Sequence, residues 1–332
     1  MPLVVAAPDK FRGTATAIEV TEAVERAAAS RGWTCVKRPM ADGGEGTLAV
    51  LGGPNRTTTV TGPLGDPVEA RWRMSSGTAV IEMAEASGLG LVGEGNDPIA
   101  ASTYGTGELI AAAVDAGASR IIVAVGGSAT TDGGLGAIRA LYPARLAGIS
   151  LVVACDVRIN FTDAAERFGP QKGASPSQVE FLRRRLERLV QVYRDDYGVD
   201  VSELEGAGAA GGLAGGLAAI GATLVSGFDL VAEECELFDD IERADLVVTG
   251  EGFVDAESFD GKVVGGIVEG CEELGVPTFV VAGEIFDGIA EHVDGVSLVE
   301  RYGDERARTD TLACIESVVG ERLSRHGDPG AS

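Results

Sequence analysis

Short, mostly apolar runs punctuate the chain at Leu3 to Ala7, Ile121 to Val125, Ile149 to Ala154, Ala244 to Thr249 and Thr278 to Ala282, with further short strands expected at Cys35 to Pro39 and Val296 to Val299. Runs of this kind predict parallel strands buried on both faces. Helical patterns lie between them. Thr16 with Glu19 three residues on forms a capping box, and Ile18, Val20, Val24 and Ala27 then mark a helix ending near Gly32. Leu109, Ile110, Ala113 and Val114 give the apolar side of another helix, residues 135 to 142 predict a further one broken by Pro143, and Ser175-Pro176 caps a long charged helix over about 176 to 196. Residues 56 to 92 change character, since Thr57 to Val60, Val68 to Met74 and Thr78 to Glu82 are strand-like and separated by Gly/Pro turns. They predict an antiparallel meander that interrupts the β-α rhythm. The rhythm returns near residue 240, so two α/β domains are expected: a discontinuous one from 1–55 and 240–332, and an inserted one, 56–239, whose sheet is mixed.

The loops at the strand ends carry the candidate chemistry. After Ile121 to Val125 comes Gly126-Gly127-Ser128-Ala129-Thr130-Thr131-Asp132-Gly133-Gly134. Glycines there let backbone N–H groups approach a phosphate or carboxylate, and the following helix adds its positive end. Ser128, Thr130 and Thr131 add hydroxyls, and Asp132 is placed to hold a metal or accept a proton; the plainer alternative is an ordinary strand-to-helix turn. Pro8-Asp9-Lys10-Phe11-Arg12-Gly13 brings two cations and a carboxylate to the end of the first strand, and Asp42-Gly43-Gly44-Glu45-Gly46 could bind magnesium through Asp42 or Glu45. Ser102-Thr103-Tyr104-Gly105-Thr106 opens a helix, Asp156 follows a strand at a position as common for a turn residue as for a metal ligand, Lys172 sits in a rigid turn, and Gly250-Glu251-Gly252 is followed by Lys262. Gly206-Ala207-Gly208-Ala209-Ala210-Gly211 spells GxGxxG, but no convincing strand precedes it, and close helix packing explains it better than a dinucleotide.

Composition narrows the classes. The net charge of −24 argues against nucleic acid and anionic membranes as partners. It also makes the four lysines, at 10, 37, 172 and 262, informative, because three of them lie in loops flanked by Gly, Pro or Asp. Five scattered cysteines give neither a disulfide framework nor a zinc site, and two late histidines, His292 and His326, make a histidine triad or cage improbable. No apolar run approaches a membrane span and the start lacks a signal-peptide pattern, so a cytoplasmic protein is expected. Carboxylates, lysines, an arginine and glycine loops together suit phosphoryl transfer, where catalysis is mostly positioning and charge neutralisation. The residues by themselves leave open an α/β protein that binds a ligand without chemistry.

Eight motifs, in order, sharpen this reading. Ala-Pro-Asp-x-Phe-(Arg)-Gly at 7 to 13, Met-Ala-Asp-Gly-Gly-Glu-Gly-Thr at 40 to 47, Val-Thr-Gly-Pro-Leu-Gly-Asp-Pro-Val at 60 to 68 and Ile-Glu-Met-Ala-Glu-Ala-Ser-Gly-Leu at 81 to 89 are the first four. Ser-Thr-Tyr-Gly-Thr-Gly-Glu-Leu-Ile at 102 to 110, Val-Gly-Gly-Ser-Ala-Thr-Thr-Asp-Gly-Gly at 125 to 134, Phe-Gly-Pro-Gln-Lys-Gly-Ala at 168 to 174 and Thr-Gly-Glu-Gly at 249 to 252 complete the series. The chain resembles the bacterial glycerate kinases of the type that makes 2-phosphoglycerate, over nearly its whole length. The resemblance implies ATP and D-glycerate as substrates, Mg2+, a flavodoxin/Rossmann-like domain with a parallel sheet, a second domain with a mixed sheet, and a cleft between them. It implies that Lys10 and Arg12 hold the acceptor carboxylate or the transferred phosphoryl, that Asp42 and Glu45 bind metal or deprotonate the acceptor, and that Asp156 and Asp132 add further carboxylates. Gly126, Gly127, Ser128, Thr130, Thr131, Gly133, Gly134, Ser102, Thr103, Gly105, Thr106, Gly250, Glu251 and Lys262 would face the nucleotide, and Lys172 and Lys262 would neutralise developing charge. A homodimer is the assembly allowed for. The chain departs from the family pattern at Lys10, Arg12, Arg158 to Asn160 and Phe253, and a segment usual in the family is missing between Ala140 and Ile149. These departures fall at loops expected to face the acceptor. They keep a kinase of a related hydroxy acid, or a member that binds nucleotide without turnover, as alternatives.

Overall fold

A computed structural model describes residues 1–93, 95–141, 146–259, 261–286 and 293–326. Pro143 and His292, named above, lie outside the described residues. The chain divides into two compact units, one formed by 1–42 with 228–332 and the other by 43–227.

The first unit begins with β1 (Leu3–Ala6), whose Val4, Val5 and Ala6 are fully buried, as an unalternating apolar run requires. The capping box forms: Thr16 Oγ1 accepts from the Glu19 amide at 3.2 Å while Glu19 Oε2 accepts from the Thr16 amide at 2.8 Å. The helix it starts, Ala17–Ser30, buries Val20, Ala23, Val24 and Ala27, and β2 (Thr34–Lys37) then pairs parallel with β1.

The chain next builds the second unit. The meander is β3 (Arg56–Thr61), β4 (Pro67–Ser75) and β5 (Thr78–Glu82), paired antiparallel in succession. From β5 the sheet turns parallel through β6 (Arg120–Ala124), β7 (Ser150–Cys155) and β8 (Thr223–Ser226), giving the order β3-β4-β5-β6-β7-β8. Ile81, Ile121, Val123 and Val153 from the strands meet Leu109 and Ile110 from the helix Tyr104–Asp115 in one core, all of them fully buried. A second core lies under the long helix Pro176–Tyr197, where Leu182, Leu186 and Tyr193 enclose Phe161.

The chain then returns to the first unit with β9 (Leu246–Val254), β10 (Thr278–Ile285) and β11 (Gly295–Ser297), all parallel. The sheet order β11-β10-β9-β1-β2 becomes 2-1-3-4-5 when the unit's strands are counted along the chain, which is the flavodoxin-like order. Its direction reverses between β1 and β9, and ligands of such sheets sit outside the carboxyl ends of those strands.

Three features differ from expectation. The unit boundaries fall at 42/43 and 227/228 rather than near 55 and 240. The reason is local: the Gly43 carbonyl accepts from the Val125 amide at 3.0 Å, joining the Gly43–Gly46 turn to the end of β6. β9 runs on through Gly250-Glu251-Gly252 to Val254 instead of ending at Thr249, and Glu251 pairs with Ala282 of β10. β8 was not anticipated, because its four half-exposed or exposed residues carry no apolar run.

Candidate functional site

In the first unit, the turn after β1 places Asp9 and Lys10 at the reversal between β1 and β9, and the segment after β2 brings Asp42 to them. Lys10 Nζ lies 3.4 Å from Asp9 Oδ1 and 3.6 Å from Asp42 Oδ1. The Asp9 oxygen also accepts from the Lys10 amide at 2.6 Å. Burial pushes the Asp9 carboxyl up to about 6, with Lys10 opposing and Asp42 adding to the rise. Burial alone would lower the Lys10 ammonium, but the charges of Asp42 and Asp9 outweigh it and hold its pKa above the ordinary value.

Glu251 belongs to the same cluster. Burial pushes it up to about 7; a hydrogen bond from Ser258 and the charge of Lys262 pull it down, while Asp9 and Asp42 add to the rise. Its Oε1 is buried without a hydrogen-bond partner. Lys262 stands at the N-cap position of the helix Val263–Leu274 without a side-chain capping bond, and its Nζ lies 3.8 Å from Glu257. Arg12 is exposed and lines a small groove with Phe253, Glu284 and Arg308. Phe253 stacks on Phe286 with ring centroids 6.1 Å apart, and the two residues are 43% and 48% exposed. Gly250 serves packing: a Cβ there would lie 1.7 Å from the Val281 carbonyl.

In the second unit, the loop after β6 is held by its neighbours. A Cβ at Gly126 would meet the Gly44 Cα at 2.6 Å, so the turn carrying Glu45 lies against the start of the loop. Glu82 Oε1 fixes that turn, accepting from the Gly46 amide at 3.0 Å and the Leu48 amide at 2.6 Å. Burial raises the Glu82 carboxyl even so. Gly127 and Glu45 are exposed, Gly126 and Asp156 half-buried, and Ser128 is 9% exposed.

The rest of the loop faces inward. Asp132 accepts from Thr103 N and Thr103 Oγ1 at 2.9 Å, from Gly134 N and Gly136 N at 3.1 Å, and from Ser102 Oγ at 3.4 Å. In this structure its oxygens are engaged within the scaffold, holding the Gly134 and Gly136 amides at the start of the helix Leu135–Ala140 and tying them to residues 102–103. Thr103 and Thr106 are fully buried, the latter hydrogen-bonded to Ser87 at 2.8 Å, and Gly105 packs so closely that a Cβ would lie 1.9 Å from the Thr61 carbonyl. Thr130, Thr131, Gly133 and Gly134 are buried as well.

Lys172 is 2% exposed, and its Nζ donates to the Thr130 carbonyl at 2.6 Å. Burial lowers it to about 7, with Asp132 partly compensating. The glycine run at 206–216 packs on the same loop. A Cβ at Gly211 would lie 2.0 Å from the Thr130 carbonyl, and one at Gly216 would lie 2.4 Å from that of Gly133. That run is a packing surface, as its sequence context suggested.

Several groups in these surroundings have no role read from the sequence. Asp9 figures there only as the carboxylate of its loop, and Glu82 had a signal in lying inside one of the eight motifs. Asn96 and Tyr193, whose side chains bond the loop's carbonyls, had none. Among the described residues, no three His, Cys, Asp or Glu side chains form a ready-made metal cage, and no helix is long and apolar enough to cross a membrane.

One unit with a flavodoxin-ordered sheet and a charged cluster at its reversal point, and another with a mixed sheet and a glycine- and hydroxyl-rich loop, define a two-unit α/β protein. The model of the glycerate kinase family matches residues 4–144 and 142–313. Glycerate 2-kinase of Escherichia coli K12 is 37% identical with 89% of each chain covered, and glycerate kinase of Bacillus subtilis 168 is 39% identical with 85% of each covered. A crystal structure from Salmonella typhimurium LT2, assigned as a glycerate kinase 2, superposes with a TM-score of 0.84 at 33% identity over 98% of each chain. The chain belongs to the glycerate kinase family.

Proposed function

We propose that this chain transfers the γ-phosphoryl group of ATP to the 2-hydroxyl of D-glycerate, giving 2-phosphoglycerate and ADP. The observation that carries the reading is the Asp9–Lys10–Asp42–Glu251 cluster at the sheet reversal, in a chain of this family. In-line attack by the hydroxyl oxygen forms the new P–O bond, and the bond to ADP breaks. The hydroxyl proton must go to a carboxylate. Asp42 is the better placed of the two on Lys10, with its side chain 20% exposed against 7% for Asp9. Lys10 and Arg12 hold the acceptor carboxylate and the moving phosphoryl, and Lys262 adds charge from the adjoining helix start. In the second unit, Gly126 and Gly127 form the accessible edge that meets the phosphates, with the nearly buried Ser128 next to it, Glu45 beside it, Asp156 just after β7, and Ser102 bonded to Asp132 deeper in the loop.

Magnesium fits this donor set. The orphaned Glu251 Oε1, next to Asp9 and Asp42, is what a hard cation would satisfy, and Mg2+ is ordinarily held by one or two carboxylates with phosphates and water filling the rest. When bound, it neutralises charge on the phosphates. A kinase of a related hydroxy acid is favoured by one observation, the exposed Phe253–Phe286 stack beside the Arg12 groove, which offers apolar surface to an acceptor larger than glycerate. A coupled ADP-release assay across glycerate, lactate, tartronate and erythronate separates these, with phosphorus NMR locating the ester. Fastest release with glycerate supports the main reading. ATP binding without ADP release for any acceptor overturns it in favour of a binding protein.

A further inference from the structure

Three side chains from segments far apart in sequence each take a carbonyl oxygen of the loop after β6. Asn96 Nδ2 donates to the Ala129 carbonyl at 3.0 Å and to the Lys172 carbonyl at 2.8 Å. Lys172 Nζ donates to the Thr130 carbonyl at 2.6 Å, and the Tyr193 hydroxyl donates to that of Gly133 at 2.8 Å. The Gly127 carbonyl is likewise taken, by the Leu89 amide at 2.8 Å. Tyr193 and Lys172 are 0% and 2% exposed, and neither is open to a ligand.

A carbonyl oxygen is the negative end of its peptide dipole, so a loop that must hold phosphate is spoiled by carbonyls on its working face. An isolated antiparallel bridge between Gly88 and Ser128 takes the Gly127 carbonyl, but no strand pairing engages those of Ala129, Thr130 and Gly133. Buried side chains do it instead. We propose that Asn96, Lys172 and Tyr193 form a carbonyl-sequestering frame that keeps the 126–134 loop anion-selective, acting as positioning residues that touch no substrate. The inference rests on the reading that this loop meets the phosphates of ATP. It assigns Lys172 a different task from direct neutralisation: its Nζ occupies the Thr130 carbonyl through a buried hydrogen bond, which a low-dielectric site strengthens. Lys172 also lies 5.9 Å from the Phe168 ring centroid, and Asp132 is the charge that acts on it most.

Steady-state kinetics and amide hydrogen exchange on the full chain test the frame. Tyr193→Phe deletes one hydroxyl and is expected to raise KM for ATP about 3- to 10-fold, the loss of one buried hydrogen bond, with KM for glycerate unchanged. Lys172→Met is expected to raise it at least about tenfold. Lys172→Arg restores part of the difference, and exchange at 126–134 accelerates in Tyr193→Phe before exchange in β6 does. If Lys172→Met does not fold, Tyr193→Phe carries the test. Unchanged KM for ATP in the variants that fold, whatever their melting temperatures, overturns the frame and leaves these side chains as ordinary core groups. Turnover with unchanged KM for ATP in Ser128→Ala would instead remove the phosphate reading of the loop, and the frame with it.

Discussion

The end of β1 in the first unit and the end of β6 in the second both face where ligands of parallel sheets bind, yet they are made of different material. Around Lys10 the cluster is made of ionisable side chains, with Lys10 and Asp42 partly open to solvent, and burial moves Asp9 to about 6 and Glu251 to about 7. Around Gly126 it is carried by backbone, and the charged groups, Asp132 and Lys172, are buried and spent on holding the loop. Groups that must exchange protons or meet a variable acceptor need titration and access. Groups that meet phosphate in one fixed geometry need rigidity. The first unit should therefore govern kcat and its pH dependence, and the second the affinity for nucleotide.

The largest expected effect breaks this comparison most directly. Asp42→Asn keeps the side-chain shape but removes the proposed proton acceptor, and it should lower kcat by about 10²- to 10⁴-fold with KM for ATP within a factor of about three. A matching rise in KM for ATP would place Asp42 with the nucleotide and dissolve the division of labour. Next in size is Asp132→Ala. It leaves the Thr103, Gly134 and Gly136 amides without their acceptor in a buried site, and should cost at least about 3 kcal/mol of unfolding free energy in a urea titration. Because Asp132 scaffolds the loop, any activity left in the folded fraction should show raised KM for ATP and little change in kcat.

Much of this was legible in the sequence because it depends on local pattern. The buried strands announced themselves as β-branched runs, the capping box at Thr16 and Glu19 formed as spaced, and the Lys10 loop stood out because cations are scarce in so acidic a chain. The illegible parts depend on contacts through space. Asn96 and Tyr193 reach the loop across 33 and 60 residues, and an asparagine in a turn or a tyrosine on a helix carries no sign of such a target. The glycines of 249–252 read as a loop, although Gly250 lies in β9 where the Val281 carbonyl leaves no space for a Cβ. In Thr103 and Thr106 residue types suited to a phosphate site are also suited to buried hydrogen bonds, here to Asp132 and Ser87, and sequence alone does not separate the two demands.

A smaller effect sharpens the comparison through pH. The Glu251 carboxyl titrates at about 7 in the folded chain and near 4.5 when exposed, so the folded state binds the proton more tightly. Stability from this group is full below about pH 4.5, falls as pH rises to about 7, and is flat above. Glu251→Gln removes that fall, and above pH 7 its advantage over wild type should approach, at most, about 3 kcal/mol. Melting curves at pH 4.5, 6 and 8 check the sign; a difference independent of pH would mean that Glu251 is not buried as described. Magnesium with ATP should shrink the advantage if the cation binds at Glu251, since a bound cation stabilises the ionised form.

The smallest expected effect separates stability from site geometry in both units. Thr16→Ala and Ser175→Ala each delete the hydroxyl of a capping box, at the helices Ala17–Ser30 and Pro176–Tyr197, and each should cost about 1 kcal/mol. Neither hydroxyl bonds to a loop residue of the candidate site, so kcat and both KM values should hold at temperatures well below melting. The contrast with Asp132→Ala then has a defined scale. If the two capping variants raise KM for ATP in proportion to lost stability, loosening of the fold explains the loop's sensitivity and the backbone cradle needs no rigidity of its own. If KM moves in Asp132→Ala and stays put in the capping variants, the sensitivity belongs to the loop.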